Sequence, residues 1–129
     1  MSKHATAMFR VTAWDEKPYD EIEGGAKLTR ASITKSFSGD IEGEGKLEYL
    51  MVHRDDGSAS FIGLERVVGR LGDRSGSFVL QHTGTFEGGT AKATWIVVPG
   101  SGAGGLRGEG GFASAHAESY SMTLDYDLD

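Results

Sequence analysis

No window of this chain repeats apolar residues at i, i+3, i+4 and i+7 behind a capping residue, whereas several stretches alternate apolar with polar residues at period two. The sharpest lies near the C-terminal end, where Tyr120, Met122, Leu124, Tyr126 and Leu128 alternate with Ser119, Ser121, Thr123, Asp125 and Asp127. Phe78, Leu80, His82, Gly84 and Phe86 alternate likewise with Ser77, Val79, Gln81, Thr83 and Thr85. A strand turns successive side chains to opposite faces, so a chain written this way is all-β, with one wet and one buried face per strand.

Upstream, Phe61, Gly63, Glu65, Val67, Gly69 and Leu71 share a face opposite Ile62, Leu64, Arg66, Val68 and Arg70, and the arginines mark the second face as outward. Further strands are expected at Ala5–Trp14, Lys27–Phe37, Ile41–His53, Lys92–Val98 and Leu106–Phe112. Turn chemistry separates them at Ser38-Gly39-Asp40, Asp55-Asp56-Gly57, Gly72-Asp73-Arg74, Gly88-Gly89 and Pro99–Gly105. The chain holds 20 glycines in 129 residues. An ordinary protein carries ~7%, so many turns or close strand approaches are required.

Eight strands of ~10 residues with links of ~4 consume about 108 residues, which leaves room for little else. Short links between successive strands predict a meander, and closure removes exposed edges, so an antiparallel barrel fits better than a sandwich. One domain over residues 1–129 is expected, and no internal repeat points to a second.

A formal charge of −6, from 13 Lys and Arg against 19 Asp and Glu, argues against a nucleic-acid partner. Arg66, Arg70 and Arg74 share one face at spacing four, and they read as solvated outer-face residues. The absence of cysteine excludes disulfides, thiolate nucleophiles and cysteine-ligated metals. Met1–Met8 lacks the apolar stretch of a signal peptide and no run is long enough for a membrane helix, so a cytoplasmic, membrane-free protein is expected.

Glu65 and His82 are the pair to single out, because each sits at an apolar-face position of its strand. With Asp73-Arg74 as a two-residue turn, Glu65 lies opposite His82, Val67 opposite Leu80 and Gly69 opposite Phe78. A carboxylate facing an imidazole inside a barrel is either an acid/base couple or a buried pair that satisfies itself. With Ser38-Gly39-Asp40 as a three-residue turn, Phe37 meets Ile41 and Ala31 meets Leu47, which places Glu42, Glu44 and Glu48 outside.

The aromatics Phe9, Phe37, Tyr49, Phe61, Phe78, Phe86, Phe112, Tyr120 and Tyr126 fall mostly on inner faces, and the first expectation for them is core. Inward glycines (Gly43, Gly45, Gly63, Gly69, Gly84, Gly108 and Gly110) leave space that either large neighbours or a ligand fills.

Other motifs carry less. Gly100–Gly105 matches G-x-G-x-x-G behind a strand, but the segment after it is too glycine-rich to start the helix that a dinucleotide needs, so no cofactor is expected. His53 with Asp55, and His116 with Glu118, lack a third ligand nearby and read as solvated turn residues rather than metal sites. His4 is expected in a frayed end. No G-x-S-x-G elbow supports hydrolase chemistry.

Several phrases together carry a family resemblance: Thr34-Lys35-Ser36-Phe37-Ser38-Gly39-Asp40-Ile41-Glu42-Gly43, Leu64-Glu65-Arg66-Val67 and Ser75-Gly76-Ser77-Phe78-Val79-Leu80-Gln81-His82-Thr83-Gly84. With Val97-Val98-Pro99-Gly100-Ser101-Gly102, Leu106-Arg107-Gly108 and Leu124-Asp125-Tyr126, they resemble a family of small bacterial proteins of unknown function whose fold is similar to the allene oxide cyclase barrel. The resemblance spans nearly the whole chain. It implies an eight-stranded barrel, related also to the lipocalin-like architecture, that often self-associates and has no agreed activity. The plant cyclases bind a fatty-acid epoxide in the barrel and steer its ring closure, but their catalytic residues have no match here. Glu65, Gln81 and His82 sit within the bacterial family's own motif. Fold alone does not fix function.

Two functions fit these observations. In the first, the barrel binds a small apolar molecule and guides cyclisation or isomerisation, with Glu65 and His82 as acid and base and Gln81, Tyr49, Phe61, Phe78, Phe86 and Tyr120 contacting the ligand. In the second, the barrel is filled by its own aromatics and Ile62, Leu64, Val68, Ile96 and Val98 make the outer face of a homo-oligomer.

Overall fold

The computed structural model describes residues 3–102, 106–115 and 118–127. Eight strands succeed one another: β1 (Lys3–Asp20), β2 (Lys27–Gly39), β3 (Ile41–His53), β4 (Ala59–Leu71), β5 (Arg74–Glu87), β6 (Thr90–Val97), β7 (Arg107–Ala115) and β8 (Tyr120–Asp127). Each pairs antiparallel with its sequence neighbours, and β8 returns to β1 through pairs such as Ala5 with Leu124, closing the barrel. The order is an uninterrupted meander. Among the described residues no helix is long and apolar enough to cross a membrane.

The alternation expected from the sequence places the core. Phe9, Ile33, Phe37, Leu47, Val67, Leu80, Trp95, Met122 and Leu124 are buried from seven different strands, while Glu42, Glu44 and Glu48 face outward. Two registers differ from the expected ones by two residues. Gly72 takes a positive φ of 62°, which suits the first central position of a tight hairpin, so Gly72-Asp73 is the turn and Leu71 pairs with Arg74. Glu65 therefore pairs with Leu80, Val67 with Phe78 and Gly69 with Gly76; His82 pairs with Gly63. Between β2 and β3, Phe37 pairs with Gly43 and Ala31 with Tyr49. A slip of two preserves which face each side chain takes, so Glu65 and His82 still point inward.

Strand β1 runs six residues past the expected Trp14. The pairing to β2 skips a residue between Val11 and Ala13, a bulge at Thr12 that shifts the inward set from Ala5, Ala7 and Phe9 to Trp14 and Glu16. Beyond the bulge β1 pairs with β2 alone and stands over one end of the barrel. His4 is part of β1, with its Nδ1 2.5 Å from Asp125 on β8, rather than frayed. The stretch Gly100–Gly102 is a turn tied to β5 by the Val79 amide, which donates to Ser101 Oγ at 3.0 Å, and the next described element is a strand rather than a helix. Gly104, Gly105, His116 and Leu128 lie outside the described residues.

Candidate functional site

Each strand sends one ring into a belt around the barrel interior: Phe9, Phe37, Tyr49, Phe61, His82, Trp95, Phe112 and Tyr120. The rings that touch lie 4.6 to 5.9 Å apart between centroids. On one side of the belt the barrel is closed, and the space among Leu71, Phe78 and Leu106 is only about 40 Å³. On the other side a cavity of about 370 Å³ opens beneath the outer half of β1. That is the lower range for small-molecule sites. Tyr49, Phe61, Phe86 and Tyr120 line it. Phe78 does not, being packed in the closed end, and Gln81 does not, because it faces outward on β5.

The polar groups of the interior form one chain. Glu65 Oε1 accepts from His82 Nε2 at 2.8 Å, and Tyr49 Oη lies 3.2 Å from His82 Nδ1. A carboxylate accepts only, so Nε2 carries the imidazole hydrogen and Nδ1 accepts the one that Tyr49 donates. Lys35 Nζ joins the far end at 3.5 Å from Glu65 Oε1 and sits 4.2 Å from the centroid of the Phe9 ring. Lys35, Glu65 and His82 are 4%, 1% and 0% exposed, so the couple read from the sequence is one part of a larger buried network.

Two glycines let these groups meet across the barrel wall. Tyr49 on β3 and His82 on β5 both pair with Gly63 on β4, so their hydrogen bond passes over a residue without a side chain; a Cβ there would lie 2.5 Å from Tyr49 Cδ1. Lys35 on β2 pairs with Gly45 on β3 and reaches Glu65 on β4 over it, where a Cβ would lie 2.3 Å from Glu65 Oε2. Oε2 has no hydrogen-bond partner among the described residues. At Gly84, too, a neighbour fills the space, the Phe61 ring.

Burial governs the charges. It acts to raise the Glu65 carboxyl, but the Lys35 charge and the hydrogen bond from His82 outweigh it and hold Glu65 below the ordinary range, ionised. Burial pushes His82 down against the pull of Glu65, so the imidazole is neutral, and it pushes Lys35 down against the same carboxylate. The Tyr49 phenol is pushed up, by burial and then by the Glu65 charge, and stays protonated. Lys35 and Glu65 bear opposite charges when both are ionised, so within the pair those charges cancel.

Lys35 and Tyr49 line the cavity, whereas Glu65 and His82 stand behind its wall. The two residues singled out from sequence therefore do not line the cavity, and the two that do lie at the ends of their chain. Lys35 is the member of the buried network that sequence reasoning misses, although it shares parity with the inward Ile33 and Phe37, and that parity is the available signal.

A second polar group rims the mouth. Glu16 accepts from Trp14 Nε1 at 2.9 Å, Thr29 Oγ1 at 2.7 Å and His53 Nε2 at 2.6 Å. Burial acts to raise Glu16, and the bonds from Thr29, Trp14 and His53 together hold it low. His53 is thus a tether between β3 and the outer half of β1, rather than a solvated turn residue.

A model of the family described as "Protein of unknown function (DUF3224)" matches residues 5–128. The chain belongs to the DUF3224 family. A crystal structure of a DUF3224 protein of unknown function from Shewanella oneidensis MR-1 is similar at 30% identity, with a TM-score of 0.79 over 100% of this chain and 99% of that one. Comparison with curated proteins finds no match. The DUF3224 barrel is thus shared between the two proteins, and neither brings an activity with it.

Proposed function

We propose that this DUF3224 protein binds a small, mostly apolar molecule in the cavity and moves a proton to or from it through Tyr49, with His82 and Glu65 as the relay behind. The observation that carries this is the continuous path Tyr49, His82, Glu65, Lys35, whose two ends reach the cavity and whose middle is sealed from water. When Tyr49 Oη takes a proton from the occupant, its own proton passes to His82 Nδ1, and the imidazolium forms against an ionised carboxylate. Proton transfer of this kind drives isomerisation and ring closure without a cofactor.

Native mass spectrometry of the purified protein tests the binding step. A small molecule should be retained by the wild type and lost from Ala91→Phe, which fills space beside the mouth. An empty wild-type protein that also takes up none of a panel of apolar compounds would refute the proposal.

A second reading concerns the outer wall, where Leu50, Ile62 and Leu64 are exposed on adjoining strands around a groove of about 550 Å³. The Arg30–Glu48 ion pair, 3.2 Å, borders it, and a second copy of the chain related by a two-fold axis would cover apolar surface with apolar surface. Sedimentation should show a dimer at micromolar concentration that Leu64→Asp converts to monomer. A monomeric wild type would remove this reading.

A further inference from the structure

The cavity floor presents two chemically different groups to its occupant. Lys35 brings an ammonium with three N–H donors. Among the described residues Glu65 is its one ion-pair partner, and the Phe9 ring covers another side. At least one N–H is left for the cavity that Lys35 lines, in a place too dry for an unmade hydrogen bond to be cheap. Tyr49 is the opposite case. Its hydrogen is committed to His82, so its offer to the cavity is the lone pairs of an oxygen backed by a base.

These two groups select among apolar molecules. A hydrocarbon gives Lys35 nothing to bond. A carboxylate would add a negative charge beside a pair whose charges already cancel, and an uncompensated charge is costly at this depth. An alcohol accepts from Lys35 but has no C–H acidic enough for Tyr49. An aldehyde or ketone satisfies both, because removal of a hydrogen beside the carbonyl puts the developing charge on the oxygen that the cation holds.

We infer that the occupant is a neutral, mostly apolar aldehyde or ketone, held with its carbonyl oxygen on Lys35 Nζ and an adjacent carbon at Tyr49 Oη, and that the site interconverts it with its enolate. This rests on the proton-transfer reading above. The C–H electron pair becomes the new C=C bond, and the carbonyl π pair moves to the oxygen beside Lys35. The proton goes to Tyr49 Oη while the phenolic proton goes to His82 Nδ1. Tyr49 then returns one proton to the same carbon or to another conjugated with it, while His82 returns the other to Tyr49 Oη, which closes the cycle with no change of oxidation state and no co-reactant.

The test uses 4-tert-butylcyclohexanone and its methylidene counterpart, in which CH₂ replaces the oxygen. Binding is followed by ligand-detected NMR and loss of α-hydrogen in D₂O by proton NMR. The wild type should prefer the ketone by about tenfold, the scale of one hydrogen bond to a charged group, and should speed exchange above the buffer rate. Tyr49→Phe should keep ketone binding within about threefold and lose exchange by about 100-fold, the scale of a general base. The double variant Lys35→Met with Glu65→Gln, which leaves no lone buried charge to unfold the barrel, should lose the preference for the ketone. Equal binding of the two probes with exchange at the buffer rate would overturn the carbonyl assignment and leave cavity binding standing. Exchange that persists in Tyr49→Phe would overturn the enolate step. Binding of neither probe would overturn both this inference and the reading it rests on.

Discussion

At the scale of single residues, the site depends on two side chains that are missing. Gly63→Ala would set a Cβ 2.2 Å from the Glu48 carbonyl oxygen as well as against the Tyr49 ring, so backbone and ring must both move. Overpacking of this kind costs ~1–3 kcal/mol, to be read from chemical denaturation. Tyr49→Phe, which removes only the hydrogen bond to His82, should cost ~0.5–1.5 kcal/mol. Gly45→Ala presses on Glu65 Oε2 and on the Phe37 ring, and should disturb the Lys35 contact rather than the Tyr49 one. If Gly63→Ala proved as stable as the wild type, the passage of the Tyr49–His82 bond over that residue would be wrong.

At the scale of strands, β1 is the element to probe. Its outer half is paired on one side only and tethered to β3 through Glu16 and His53. His53→Ala should therefore speed amide hydrogen exchange in Ala13–Lys17 by about tenfold while leaving β4 and β5 unchanged, since local opening there is limited by few contacts. Equal acceleration throughout would show that the tether serves the whole barrel. The same strand shows where the sequence stops being legible. Alternation places Glu65 and His82 inside correctly, and it does so even with the hairpin turn set one residue off, because a register error of two leaves parity intact. The bulge at Thr12 leaves no mark in composition, so neither the inward turn of Trp14 and Glu16 nor the length of β1 can be read. Lys35 is legible by parity but hidden by the rule that lysine faces water, a rule that fails where an ionised partner waits inside. Phe78 and Phe86 share a face, yet period two gives no position along the barrel axis, and they lie at the closed end and near the mouth.

At the scale of the molecule, the buried network ties stability to pH. An unfolded histidine protonates as the pH falls through about 6.5, whereas His82 resists because its folded pKa is lower, so the unfolded state binds more protons and stability declines from there downward. Glu65 adds a second decline below about 4.5, where the unfolded carboxyl protonates and the folded one does not yet. Melting temperature followed by circular dichroism should fall in both windows, and the double variant Lys35→Met with Glu65→Gln should shrink the lower decline, the remainder coming from Glu16 and other carboxylates held low. A profile flat from pH 7 to 5 would contradict the neutral, sealed imidazole. The placement of the network has a consequence of another kind. Glu65 and His82 lie buried behind the cavity wall, while Phe86, Ala91 and Trp14 stand apart from them around the rim. On the proton-transfer reading proposed above, changes at the lip alone would trade one guest for another and leave the relay beneath as it is.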